Sequence, residues 1–183
     1  MKQYLELLKD IRDNGIWKDD RTGTWVRGLF GMQAKYDLRE WFPLVTTKKT
    51  FLRGIVVELI WLIRWETNIK YLVDRDVHIW DEWPFQNYID SNELNEIFPK
   101  YSEGWFKEKT LFIEKIKSLP ENDQFVIQYW DLGPVYGTQW REIYDKKADD
   151  IFKYDQIKTL INTLKNNPLG TQHIVNAWNV GDL

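Results

Sequence analysis

Cysteine is absent from the 183 residues, and there are only two methionines and two histidines. Without cysteine the chain offers no disulfide framework, no thiolate nucleophile and no thiolate ligand for zinc. The histidines, His78 and His173, stand too far apart to suggest a metal spacing and read as structural. An excess of one charge is missing too: 25 Lys and Arg against 28 Asp and Glu leave a net charge of −3. That argues against a general electrostatic grip on DNA or RNA, while a local anion site stays open. Nor is there a long apolar run. The best, around Ile55 to Ile63, is interrupted by Glu58, and the opening M-K-Q-Y-L-E-L-L-K-D is charged throughout. Neither a membrane span nor a targeting segment is expected, and the chain reads as cytoplasmic. No Pro-, Gly- or Ser-rich linker and no internal repeat divides it. With 43% hydrophobic residues, a single domain over 1–183 is the expectation.

Aromatic residues are plentiful: 11 Trp, 9 Tyr and 9 Phe. Such a supply serves either a large core or a surface for stacking flat ligands, and composition does not choose between them.

Periodicity gives the local structure. Tyr4, Leu5, Leu7, Leu8 and Ile11 recur at helical spacing, with Gly15 as a stop. From Phe30 to Leu38 the pattern alternates, Phe30, Met32, Ala34, Tyr36 and Leu38 on one face, which predicts a half-buried strand. After Pro43 and T-T-K-K, a strongly apolar helix is expected through Phe51, Ile55, Leu59 and Ile63, and a shorter one around Ile69, Leu72 and Val73. Residues 84–130 read as charged, aromatic and helical, with Phe106, Ile113, Ile116 and Lys117 on an exposed amphipathic helix. Ile157, Leu160, Ile161 and Leu164 predict a helix ended by Asn166, Asn167 and Pro168. The final strand is expected over His173 to Trp178, followed by a turn. Helices with a few strands point to α+β or α/β.

Several residues could carry chemistry. Glu58 has Ile55 three positions before it and Leu62 four after, which places a carboxyl on the apolar side of its helix, suited to proton transfer. A structural glutamate paired with Arg53 or Arg64 fits the pattern equally well. Arg21, in D-D-R-T-G-T, has the fork geometry to hold a phosphate, or is simply solvated. Trp80 and Trp83 flank two acids and either wall a heteroaromatic ring or belong to the core. Gly133, Pro134 and Gly137 fix a tight backbone around Tyr136, whose hydroxyl enters a site unless this is an ordinary turn.

Together these segments are more specific than any one of them. D-R-T-G-T (20–24), F-P-L-V-T-T-K-K (42–49), E-L-I-W (58–61), T-N-I-K-Y-L (67–72), I-W-D-E-W (79–83), D-L-G-P-V-Y-G-T-Q-W-R (131–141) and I-V-N-A-W-N (174–179) resemble thymidylate synthases, in order and in spacing. The resemblance covers nearly the whole chain, less specifically over 84–130, which looks like a longer helical insertion. It implies an α+β fold, a mixed sheet with packed helices, here incomplete. It also implies conversion of dUMP to dTMP with 5,10-methylenetetrahydrofolate in a homodimer. Residue by residue it implies phosphate binding for Arg21, proton transfer for Glu58, folate walls for Trp80 and Trp83, a folate-tail contact for Lys48, and an active-site role for Tyr136.

Departures from the family pattern are informative. The family's chain continues from the W-N strand into a P-C-H segment whose cysteine attacks the pyrimidine, so this chain is expected to be inactive alone and to need a complementing carboxy-terminal fragment. A non-catalytic binding or dimerisation module and a pyrimidine nucleotide hydroxymethylase relative are the alternatives. Thr171 and Gln172 stand where the family has an Arg pair, and Trp25, Trp41, Trp65 and Trp130 stand at glycine positions. Wherever those glycines have positive φ, tryptophan is expected to be strained by about 1 to 3 kcal/mol.

Overall fold

A computed structural model describes residues 1–21, 23–147 and 150–179, and the chain forms two compact units, 1–51 and 52–183. In the first, α1 (Lys2–Asn14) ends where the Gly15 amide bonds the Ile11 carbonyl at 2.8 Å. Strands β1 (Ile16–Lys18) and β2 (Val26–Gly28) follow as an antiparallel pair, with Trp17 opposite Arg27. Arg27 ties the pair to the helix end: its Nε donates to the Gly15 carbonyl at 3.0 Å, and its guanidinium lies over the Trp17 ring. The expected strand from Phe30 to Leu38 does not form. Residues 32–37 are irregular, and Phe30, Met32 and Leu38 are exposed. Alternation makes a strand only where another backbone lies alongside to complete the ladder, and among the described residues none does.

The second unit is mostly helical, with α2 (Leu52–Ile63), α3 (Lys70–Val73), α4 (Glu82–Ser91), α5 (Glu103–Ser118), α6 (Gln124–Tyr129), α7 (Tyr136–Glu142) and α8 (Gln156–Asn166). Strands β3 (Ile143–Lys147) and β4 (Asp150–Tyr154) pair antiparallel between α7 and α8. The expected mixed sheet is absent among the described residues, whose sheets are these two two-stranded pairs. Helix α5 starts on a Ser102 cap and sends Trp105, Phe112, Ile113 and Ile116 inward at positions i, i+7, i+8 and i+11. They meet Phe85 and Ile89 of α4, Val126 of α6 and Trp130. Residues 84–130 are therefore the principal core. The expected exposed helix is corrected accordingly, since Ile113 and Ile116 are buried while Phe106 and Lys117 lie outside.

Two features hold α2 against α7. Gly137 lets the backbones approach closely, since a Cβ there would meet the Leu62 carbonyl at 2.6 Å. Arg141 then donates to the Ile63 carbonyl at the end of α2 and pairs with Asp155, the N-cap of α8. Burial opposes the charge of Asp155, but the Lys158 amide and Arg141 outweigh it, and its carboxyl titrates below the ordinary value.

Helix α2 itself ends in a Schellman arrangement. The Trp65 amide bonds the Leu62 carbonyl at 3.1 Å, the Glu66 amide bonds the Trp61 carbonyl at 3.2 Å, and Trp65 has φ of 63°. The strain expected from tryptophan at a left-handed position is thus present at Trp65. It is not present at Trp130, where φ is −118°. The other non-glycine residues with positive φ among those described are Asp76, Glu93 and Tyr101.

The expected strand from His173 to Trp178 does not form: the segment is irregular and pairs with no strand among the described residues, and the turn expected at 180–183 lies outside them. Its backbone is satisfied differently: both the amide and the carbonyl of Asn176 bond the side chain of Gln156. A side-chain carboxamide takes the place of a neighbouring strand.

Candidate functional site

Helix α2 buries Gly54, Trp61 and Leu62. Glu58 is half-buried at the edge of that face, because Leu62 is buried whereas Ile55 is exposed. Its partner is an indole: Trp80 Nε1 donates to Glu58 Oε1 at 2.7 Å. Arg64, offered by the sequence as a structural partner, instead bonds Glu66 at 2.6 Å.

Trp80 is the hub of the site. Its ring centroid lies 5.4 Å from Trp83, 6.0 Å from Trp61 and 6.3 Å edge-on from Tyr136. Trp61 is fully buried and anchored by its own indole bond to the Asn68 carbonyl at 2.9 Å. Trp83 and Tyr136 are 58% and 53% exposed, so their faces stay open to a ligand. The loop before Tyr136 is set by Gly133, whose φ is +70° and whose amide bonds Asp131 at 2.7 Å. Beside Trp80 and Tyr136 opens a cleft of about 310 Å³, closed by Val135, Gln139, Trp178 and Asn179. Aromatic faces with amides at the edge suit a flat, polar-rimmed ring.

Between the two tryptophans, Asp81 is only 6% exposed, and its Oδ2 bonds His78 Nδ1 at 2.8 Å. Burial pushes this carboxyl above its ordinary value, against the pull of His78 and, further off, Lys109 and Lys117. His78 is thus held on Asp81, and His173 bonds the Asn167 carbonyl at 3.0 Å.

The structure therefore brings together Glu58, Trp80, Trp83 and Tyr136. Arg21 and Lys48 belong to the 1–51 unit, where both are exposed. Arg21 lies within a turn in which the Gly23 amide bonds the Asp20 carbonyl and the Thr24 amide bonds the Asp20 side chain; Thr22 lies outside the described residues. A larger recess of about 510 Å³ lies at the C-terminal end of α8, against Asn162, Asn167, Leu169, Thr171, Gln172 and His173. Among the described residues no Lys or Arg lines it, so they offer no cationic grip on a phosphate there. Among the described residues no helix is long and apolar enough to cross a membrane.

Sequence reasoning missed Gln139, Gln156 and Trp178 as parts of this site. An aromatic motif signals itself by residue type, whereas a glutamine that matters through backbone bonds 17 and 20 residues away leaves no periodic trace.

Residues 2–183 match the protein family described as thymidylate synthase. Among curated proteins, the thymidylate synthase of Mesoplasma florum is 44% identical over 185 residues, covering 100% of this chain and 56% of its own length. Those of Malacoplasma penetrans and Mycoplasma mobile are 43% and 42% identical, also over 100% of this chain and 56% of their own lengths. The chain thus spans about half the length of the curated relatives it matches.

Proposed function

Given that the chain belongs to the thymidylate synthase family, we propose that it supplies the folate-facing, proton-handling side of an active site that converts dUMP to dTMP. The observation that carries this reading is the Glu58 carboxyl held on the indole of Trp80 at 2.7 Å, at the rim of an aromatic cleft completed by Tyr136. A carboxyl fixed by a rigid donor is already placed for proton transfer to a ring stacked beside it. Trp80 and Trp83 wall the folate, and Tyr136 directs its hydroxyl to the site. Arg21 takes the nucleotide phosphate, and Lys48 the anionic folate tail. When bound, 5,10-methylenetetrahydrofolate supplies the one-carbon unit and the reducing electrons. Both compact units are parts of one family domain in this reading, since the family match runs through 1–51 and 52–183 alike, and the working form is a cytoplasmic homodimer.

The missing function is nucleophilic. Attack on the pyrimidine needs a soft anion that adds to an electron-poor ring and later leaves, and the chain has no cysteine to provide it. On its own it is therefore inactive, and a carboxy-terminal fragment bearing the cysteine completes it. Incubation with 5-fluoro-dUMP and methylenetetrahydrofolate, followed by denaturing mass spectrometry, tests this. The mass should stay that of the 22.2 kDa chain. A stable adduct would require another nucleophile and would refute the division of labour.

A further inference from the structure

Gln156 lies at the start of α8 and is only 7% exposed, yet no role in core packing accounts for a polar side chain there. Its carboxamide is used in full. Nε2 donates to the Gln139 carbonyl at 2.7 Å and to the Asn176 carbonyl at 2.7 Å, and Oε1 accepts from the Asn176 amide at 2.9 Å. The two bonds to Asn176 reproduce what a neighbouring strand would give that residue. The third bond ties the same carboxamide to α7, whose Gln139 and Tyr136 line the aromatic cleft. Two and three residues beyond Asn176 come Trp178 and Asn179, which line the same cleft.

We infer that Gln156 is a positioning residue of the Trp80–Tyr136 cleft: it joins the α7 wall to the 174–179 wall and so sets the width of the opening. The inference rests on the folate-site reading only for what enters the cleft; the geometry of the walls stands without it. The other bonds of the 174–179 segment include those within the Asn176–Trp178 turn, at 2.9 and 3.1 Å, and Ile174 and Trp178 are exposed. Loss of the carboxamide therefore releases this wall first and leaves the α3–α6 core intact.

Amide exchange measured by NMR on the whole chain tests the idea. In the parent, both side-chain NH2 protons of Gln156 and the Asn176 amide should exchange at least about tenfold more slowly than exposed groups. In Gln156→Leu the Asn176 to Asn179 amides should lose that protection while Trp105 to Ile116 of α5 keep theirs. Gln156→Glu separates bonding from space-filling. It keeps the shape and one acceptor but lacks both donated bonds, so it should also release the segment. Fast-exchanging Gln156 NH2 protons in the parent would overturn the inference, as would undiminished protection of 176–179 in both variants. A folic acid titration, followed by tryptophan fluorescence, reads the ligand assignment separately. Failure of the parent to bind folic acid, with the exchange pattern as expected, removes the folate reading and leaves Gln156 its role.

Discussion

The indole Nε1 of Trp80 donates to Oε1 of Glu58 across 22 residues of sequence, at 2.7 Å. The bond fixes an acid and an aromatic wall in one movement: the carboxyl cannot rotate without freeing the ring, and the ring cannot swing without losing its acceptor. Glu58→Leu leaves a partly buried indole N–H unpaired and should destabilise the chain by about 1 to 2 kcal/mol, whereas Glu58→Gln retains an acceptor oxygen and should lose less than about 1 kcal/mol. Chemical denaturation of the two variants separates them; equal losses would mean that the bond contributes nothing.

Tryptophan at glycine positions does not have one consequence. Trp65 is left-handed at the end of α2 and 44% exposed, so Trp65→Gly relieves strain while losing little packing. A gain of about 1 kcal/mol and a higher melting temperature are expected. Trp130 has an ordinary φ and is fully buried against Phe112, although its Nε1 finds no partner among the described residues. Trp130→Gly should therefore lose at least about 3 kcal/mol. Thermal melts of the single variants decide it, and a rise for Trp130→Gly would show that the ring is misfitted.

Asp81 should make stability depend on pH in an unusual direction. Its carboxyl titrates above the ordinary value because it is buried, with His78 opposing. A raised carboxyl contributes stability that is complete below its unfolded value and is lost as pH rises through its folded value. Asp81→Asn removes the buried charge, so it should melt higher than the parent at pH 7, with the gap closing as pH falls toward about 4. A variant that melts lower than the parent at pH 7 would show that the bond to His78 outweighs burial.

Helices were legible in the sequence where a period of 3.6 was sustained: α1, α2 and α8 lie where the apolar spacing and the Gly15 and Asn166 stops put them. The alternation at 30–38 and the apolar run at 173–178 misled, because a strand depends on a neighbour that periodicity does not contain. Three-residue strands such as β1 and β2 are too short to show a period at all. Over 84–130 the charged residues suggested an exposed helix, but α5 places four apolar side chains on one stripe and the charges on the other. At the site, the residue types Glu58, Trp80, Trp83 and Tyr136 were readable. Their bonds were not, since an indole rather than an arginine answers Glu58 and a distant glutamine holds the far wall.

A chimera shows whether this chain carries the proton-handling and folate-facing half of a thymidylate synthase site. The chain is continued with the remaining length of the Mesoplasma florum relative, and dTMP formation from dUMP and methylenetetrahydrofolate is measured with and without Glu58→Gln. The chimera should turn over, and Glu58→Gln should lower the rate by about 10² to 10⁴ with the fold retained. A folded chimera that makes dTMP equally well with Gln at position 58 would contradict that assignment.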